Sequence, residues 1–157
     1  MNVGQSMKQE VITVASSATV AEAVSLFNDH HVGMLPVIDA EGHLVGILNL
    51  RDLLDLIMPA FVNLIDDFDY VGDFGALEDR QPTRDLLEKP IIAVMEPPIS
   101  VPASSGLLRA FALLHKYELL DLPVVDHQER LVGLASRVDV GRALLAGWHL
   151  NVVGDVL

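Results

Sequence analysis

The sequence predicts an α+β fold with α/β-type sheets, made of two copies of one βαββα unit related by a pseudo-twofold axis. The first observation is a repeat: residues 12–57 align with residues 99–144 without a gap, each matching the residue 87 positions further on. Of these 46 pairs, 13 are identical. The second observation is that both copies carry the same order of strand and helix patterns. We expect the units to pack sheet to sheet, because a single unit leaves too much apolar surface uncovered.

Each predicted element follows from a local pattern. A short β-branched strand, "VITV" in the first copy and "ISV" in the second, leads to a helix with apolar residues at i, i+3, i+4 and i+7. Thr19 and Glu22 form a capping box at the start of the first such helix, whereas Gly106 replaces that cap in the second copy. Two apolar strands then flank the turns "DAEGH" and "DHQER", and a second helix opens at Asn49 or Ser136.

These elements divide the chain into four segments. Residues 1–57 hold the first repeat with its N-terminal lead, and residues 95–146 hold the second repeat. Between them, residues 58–94 form an acidic and aromatic insert, which we expect to be partly helical. Residues 147–157 form a C-terminal tail.

Composition narrows the class of protein. The chain has 157 residues, of which 51% are hydrophobic, so it can bury a real core. The formal net charge of −12 repels a phosphate backbone, which disfavours nucleic-acid binding. The uncharged runs are too short for a membrane span, and the N-terminus lacks the pattern of a secretory signal. We therefore expect a cytoplasmic protein without membrane insertion.

The repeated motifs resemble those of the cystathionine beta-synthase (CBS) domain pair, also called a Bateman module. The residues that carry the resemblance are "GMLPVID" and "LDLPVVD", "LVGILNLRD" and "LVGLASRVD", and a Met shortly before each first strand, Met7 and Met95. The resemblance implies a disc-like module whose clefts bind adenosine-containing ligands such as AMP, ADP, ATP or S-adenosylmethionine. It also implies a homodimer that signals to an effector protein in trans.

In this family, the pattern of Gly, two apolar residues, Ser or Thr, two residues and Asp places the hydroxyl near phosphate and the Asp on the ribose. The second copy fits in full with Ser136 and Asp139, and Arg137 offers a counter-charge for phosphate. A helix N-terminus also attracts an anion by its free N–H groups. The resemblance further implies that Ser100 and the backbone around Leu120 to Leu122 hold the base. The favoured site comprises Ser100, Leu120, Asp121, Leu122, Ser136, Arg137 and Asp139.

The first copy departs from the family pattern, because Asn49 stands where Ser or Thr is expected while Asp52 is kept. The weaker site comprises Thr13, Met34, Leu35, Asn49 and Asp52. For both copies a plainer interpretation stays open, since Ser136 with Asp139 and Asn49 with Asp52 are also ordinary helix-capping arrangements.

The insert raises the question of calcium. Asp67, Asp69, Gly72 and Glu78 stand at positions 1, 3, 6 and 12 of a calcium loop, but Val71 occupies position 5, where an oxygen ligand belongs. We favour a charged surface segment and expect no metal site.

No catalytic pattern is visible. The six histidines are expected at a helix end, in turns, on the first helix of the second copy or in the tail, and none pairs with a nucleophile or carboxylate at a recognisable spacing. We expect no enzyme, no catalytic residue and no required cofactor. The main hypothesis is a stand-alone regulatory module that binds an adenosine ligand between its repeats and signals to a partner. The alternative is a ligand-free module for protein interaction or dimerisation.

Overall fold

The computed structural model describes residues 1–58 and 81–150. The first repeat contains a 3-10 turn at Val3–Gln5, then β1 (Val14–Ala15), α1 (Val20–His30), β2 (Met34–Ile38), β3 (Leu44–Asn49) and α2 (Leu50–Ile57). The short α3 (Arg84–Leu87) belongs to the insert. A 3-10 turn at Ile91–Ala93 then leads out of the insert, and the second repeat contains β4 (Val101–Pro102), α4 (Leu107–Lys116), β5 (Asp121–Val125), β6 (Leu131–Ser136) and α5 (Arg137–Ala146). The predicted order βαββα is confirmed in both copies.

Each repeat forms one three-stranded sheet, in the order β1-β2-β3 and β4-β5-β6. The first pair of strands in each sheet is parallel and the second pair is antiparallel. The registers also repeat, because Met34 pairs with Asn49 in one sheet and Asp121 pairs with Ser136 in the other. The start of each second helix is therefore tied to the start of the middle strand.

The outer strands are shorter than the sequence predicts. The predicted strands began at Val11 and Ile99, whereas β1 and β4 each contain only two residues. The residues just before β1 and β4 do not join the sheet of their own repeat, because the chain reaches them from a segment that pairs with the other repeat.

The helix starts agree with the sequence. The Thr19 hydroxyl accepts the Glu22 N–H at 3.3 Å, although the reciprocal bond of a full capping box is not among the described contacts. Gly106 precedes α4 without a side-chain cap, and α2 and α5 begin directly after Asn49 and Ser136. Short-range capping bonds therefore mark the starts of α1, α2 and α5, whereas α4 begins without one.

The residues that precede the first strand of each repeat, here called its lead, pair with a strand of the other repeat, so the two leads cross. Lys8 exchanges two backbone hydrogen bonds with Leu134 of β6, both 2.9 Å long, so the N-terminal lead pairs with the second repeat. Glu96 exchanges bonds of 2.8 and 3.0 Å with Ile47 of β3, so the lead of the second repeat pairs with the first. Because Ile47 and Leu134 are repeat equivalents, the exchange is reciprocal.

Two glycines make this crossing possible. A Cβ atom on Gly46 would lie 2.9 Å from the Glu96 carbonyl oxygen, and a Cβ on Gly133 would lie 2.9 Å from that of Lys8. Real Cβ atoms do not approach an oxygen so closely, so any larger residue displaces the lead.

The crossing leads also complete the two cores. The core of the second half contains the fully buried Val3 from the N-terminal lead, together with Met34 and Ile47 from the first repeat. The core of the first half contains the fully buried Ile91 from the second lead. Each half therefore depends on apolar side chains supplied by the other.

Candidate functional site

Two cavities lie where the halves meet, at the starts of α2 and α5. The Ser136 cavity, of about 240 Å³, is lined by Lys8, Glu10, Val11, Ile12, His31, Val32, Gly33, Met34, Asp121, Leu134, Ser136 and Asp139. The Asn49 cavity, of about 190 Å³, is lined by Gly33, Met34, Asn49, Leu50, Arg51, Glu118, Leu120 and Asp121. The two cavities share Gly33, Met34 and Asp121. Since Met34 and Asp121 are repeat equivalents, the cavities lie on either side of the pseudo-twofold axis.

A reciprocal capping box holds the polar end of the Ser136 cavity. The Ser136 hydroxyl accepts the Asp139 N–H at 2.9 Å, and Asp139 Oδ2 accepts the Ser136 N–H at 3.1 Å. The plainer capping interpretation is therefore realised, yet both residues also line the cavity. The Ser136 proton and Asp139 Oδ1 have no hydrogen-bond partner among residues 1–58 and 81–150, so both can still serve a ligand.

Charged groups of both signs surround this capping box. Lys8 brings an ammonium group, while Glu10, Asp121 and Asp139 bring carboxylates. Burial raises the pKa of Asp121 above its ordinary value of 3.8; the charge of Lys8 opposes this rise and that of Asp139 adds to it. The one ammonium group of the described lining therefore faces three carboxyl groups, whose charges it cannot all balance.

The Asn49 cavity has a different arrangement at the same place. Asp52 Oδ2 accepts the Asn49 N–H at 2.8 Å, as in the other repeat. The Asn49 side-chain amide donates to Glu96 Oε2 at 2.5 Å, and Arg51 Nη2 lies 3.7 Å from Glu96 Oε1. Both oxygens of Glu96 are thus engaged at the start of α2.

The Asp52 carboxyl is strongly perturbed by this neighbourhood. Burial raises its pKa from 3.8 to about 6. The bond from the Asn49 N–H and the charge of Arg51 oppose the rise, and the adjacent Glu96 carboxylate adds to it. Two carboxyl groups that share one small space resist simultaneous ionisation.

The structure brings together only part of each predicted residue set. Asp121, Ser136 and Asp139 meet at one cavity, joined by Met34, which was predicted for the other site. Leu120 lines the Asn49 cavity instead.

The other three residues predicted for the Ser136 site line neither cavity. Leu122 is fully buried in the core. Ser100 and Arg137 are not among the described residues that line either cavity.

The residues predicted for the first site are dispersed as well. Asn49 and Met34 line the Asn49 cavity, and Asp52 is bonded to Asn49 beside it. Leu35 is fully buried, and Thr13 lines a separate small cavity near the turn at Gly42. The reason is the crossing of the leads: the segment beside each helix start comes from the opposite repeat.

Arg137 differs most from its expected role. Its guanidinium Nη2 donates to the backbone carbonyls of Leu119 at 3.2 Å and Leu114 at 3.4 Å, at the end of α4. Its Nε is buried without a partner among the described residues. The side chain therefore ties α5 to α4 and is turned away from the place where it would meet a phosphate.

Sequence reasoning did not single out Lys8, Glu10, His31 or Glu96. A signal was present for two of them, because Lys8 and Glu96 directly follow Met7 and Met95, the methionines that precede each repeat. Lys8 and Glu96 are 88 positions apart, whereas the repeats are 87 apart, so the gapless alignment of the repeats did not pair these two residues.

One histidine corrects the expectation that none pairs with a carboxylate. His43 Nδ1 lies 3.0 Å from Asp39 Oδ2, within the turn between β2 and β3. With Glu41 these residues could supply three metal-ligand atoms within 4.8 Å of one another, but the group lies in a partly exposed turn. The calcium-like residues Asp67–Glu78 lie outside the described part of the chain.

A larger cavity of about 410 Å³ lies between α1, α2 and α3. Its described lining consists of apolar side chains with Asn28 and Gln81, and holds no ionisable group. Without a charge among these described residues to orient a ligand, it offers less than the two cavities at the helix starts.

The comparison with known families decides what kind of module this is. The model of the CBS domain matches residues 3–59 and 85–146, the two repeats with their leads. The chain belongs to the CBS domain family. The resemblance read from the repeated motifs is therefore confirmed, together with the α+β fold of two βαββα units.

Curated relatives of this CBS-domain chain include inosine-5'-monophosphate dehydrogenase of Methanocaldococcus jannaschii, 27% identical over 133 residues. The match covers 84% of this chain and 21% of that enzyme, so the chain spans about a fifth of its length. A CBS domain-containing protein of Dictyostelium discoideum is 28% identical over 138 residues, which covers 88% of this chain and 87% of that protein.

Solved structures share the fold. The crystal structure of CBSX2 in complex with AMP, from Arabidopsis thaliana, superimposes with a TM-score of 0.67 at 31% identity and covers 92% of this chain and 96% of that one. The CBS domain pair of protein MJ0100, crystallised with 5'-methylthioadenosine and S-adenosylmethionine, has a TM-score of 0.66 at 21% identity and covers 94% and 98%. Among the residues that the structure describes, no helix has the length and apolar character to cross a bilayer.

Proposed function

We propose that this chain is a regulatory CBS module that binds an adenosine-containing ligand in the Ser136 cavity. The observation that carries the proposal is the meeting, in one cavity, of the α5 N-terminus, Ser136, Asp139 and Lys8. The AMP complex of CBSX2, at 31% identity over nearly its whole chain, supports the ligand class.

The phosphate end of the ligand belongs at the start of α5. This ten-residue helix carries a partial positive charge at its N-terminus, and the Ser136 hydroxyl keeps a proton to donate. Lys8 adds a full positive charge from the crossing lead. In a chain with a net charge of −12, such a local cation is what allows an anion to approach.

The sugar belongs on Asp139. Its Oδ2 is held by the Ser136 N–H, which fixes the carboxylate, and Oδ1 remains free to accept from a ribose hydroxyl. Hydrogen bonds to a charged acceptor are stronger than those between neutral groups. The base then lies against the apolar side chains of Val11, Ile12 and Val32.

Size and charge limit which adenosine ligand fits best. The cavity of about 240 Å³ is small for a ligand pocket, for which about 300–1,000 Å³ is usual. Glu10, Asp121 and Asp139 oppose each added phosphate charge. We expect AMP or S-adenosylmethionine to bind more tightly than ADP, and ADP more tightly than ATP.

The regulatory step follows from the fact that both repeats contribute residues to the cavity lining. Lys8–Ile12 and Val32–Met34 come from the first repeat, and Asp121, Ser136 and Asp139 come from the second. A ligand that touches both repeats favours the arrangement in which they fit it, and a partner that senses this arrangement is thereby regulated. The effector protein, the non-catalytic role and the cytoplasmic location remain predictions.

Isothermal titration with AMP, ADP, ATP and S-adenosylmethionine tests the proposal. Asp139→Ala removes a charged acceptor worth about 1.5–3 kcal/mol, so we expect affinity to fall about 10- to 100-fold. Asp139→Asn keeps an oxygen that can accept the Ser136 N–H, so a loss of affinity in this variant reflects the lost charge and not a lost helix cap. Asp52→Ala should change affinity far less.

Two results would count against this proposal. If none of the four compounds gives heat or a melting shift, the ligand site is wrong. If Asp52→Ala and Asp139→Ala lose affinity equally, the preference for the Ser136 cavity is wrong.

The second candidate is a ligand-free interaction module. It is favoured by apolar side chains exposed on or beside α4 and α5: Leu108 is 72% exposed, Val138 65% and Trp148 66%. Such side chains suit a partner surface, including a second copy in the expected homodimer. Light scattering over a concentration series, with Trp148→Ser as the variant, tests this candidate: an interaction surface predicts a shift to monomer with unchanged melting.

A further inference from the structure

We infer that Glu96 is a built-in anion that takes the place of a phosphate at the start of α2, beside the Asn49 cavity, so that the chain binds one adenosine ligand and not two. The inference rests on the proposed function of the Ser136 cavity. It concerns the residue that distinguishes two otherwise equivalent helix starts.

Lys8 and Glu96 hold the same place in the two halves. Lys8 pairs through its backbone with Leu134, and Glu96 pairs with the repeat equivalent Ile47, each by two hydrogen bonds of 2.8–3.0 Å. Each residue therefore enters beside the start of the second helix of the opposite repeat. The difference is chemical: one helix start faces an ammonium group and the other faces a carboxylate.

Glu96 makes the contacts that an incoming phosphate would need. Its Oε2 accepts from the Asn49 side-chain amide, and its Oε1 lies 3.7 Å from Arg51 Nη2. Asn49 is the repeat equivalent of Ser136, the residue proposed to donate to the phosphate. With a side chain only 34% exposed, Glu96 is held against the helix start and leaves these donors occupied.

The surrounding charge opposes displacement of Glu96 by a phosphate. Asp52 lies beside Glu96, and Asp121 and Glu118 line the adjoining Asn49 cavity from the other repeat. Arg51 is the cation whose charge acts on Asp52, and it is already paired with Glu96. An added phosphate would bring further negative charge to a cluster that one guanidinium does not neutralise.

The test is the number of AMP molecules bound per chain, measured by isothermal titration and by equilibrium dialysis. We expect the wild-type chain to bind one. Glu96→Ala removes the internal anion, and Glu96→Lys reproduces the group present at Lys8, so each should raise the number to two. Glu88→Ala, which removes an exposed carboxylate that lines neither cavity, should leave one.

The reverse exchange is tested by Lys8→Glu, which should abolish AMP binding at the Ser136 cavity. Circular dichroism and thermal melting establish that each variant is folded. If Glu96→Ala and Glu96→Lys fold but still bind one AMP, the inference is wrong while the proposed function stands. A wild-type chain that binds two also overturns the inference. If neither the wild type nor the Glu96 variants bind AMP, both the inference and the proposed function fail.

Discussion

The raised pKa of Asp52 predicts how the free energy of unfolding depends on pH. Its pKa is about 6 in the folded chain, against an ordinary value of 3.8. The folded state therefore holds this proton more tightly than the unfolded state does. The resulting stabilisation is complete below about pH 4 and is lost as the pH rises through about 6. Replacement by an uncharged residue should remove this dependence.

The magnitude follows from the two pKa values. The difference between 3.8 and about 6 corresponds to about 3 kcal/mol, at about 1.4 kcal/mol per pH unit. Because Asp52 is only partly buried, water screens the effect, and we expect about 1 kcal/mol. Asp52→Asn keeps an oxygen that accepts the Asn49 N–H, so the start of α2 should persist. At pH 7.5 the variant should therefore be about 1 kcal/mol more stable than the wild type.

Urea unfolding followed by circular dichroism at pH 4 and pH 7.5 measures this. Asp52→Asn should gain free energy of unfolding at pH 7.5 and gain none at pH 4. Asp55→Asn is the matched control, since it removes an exposed carboxylate from the same helix. A loss of stability at both pH values, or an equal gain in the control, would refute the reasoning.

Two further substitutions test the tertiary contacts. Arg137→Met should lower the free energy of unfolding by about 1 kcal/mol, because it removes the hydrogen bonds to the end of α4. It should leave AMP affinity within about twofold, and Arg142→Met, at an exposed position, is the control. Lost affinity with unchanged stability would restore the phosphate role of Arg137. Gly133→Ala should cost about 1–3 kcal/mol in urea unfolding, because its Cβ would meet the Lys8 carbonyl oxygen. Gly141→Ala, whose Cβ meets no atom within 4 Å, should cost nothing, and equal losses would count against the crossing.

The sequence predicted only some of the residues that line the Ser136 cavity. Ser136, Asp139 and Asp121 belong to one repeat and could be proposed together from a motif. Lys8 reaches them from the other repeat by pairing with Leu134, more than a hundred positions away, and Met34 reaches them from the start of β2. The motif predicted what the helix start offers, and the fold decided which side chains face it.

By itself, the sequence determined the duplication, the order of strands and helices, and the helix starts at Thr19, Gly106, Asn49 and Ser136. These depend on periodicity and capping, which act over a few residues. Only the tertiary structure decided that the leads cross, that Glu96 meets Asn49, and that Arg137 binds the end of α4. Those contacts join segments far apart in the chain, and the energies that select them come from packing and charge in the assembled molecule.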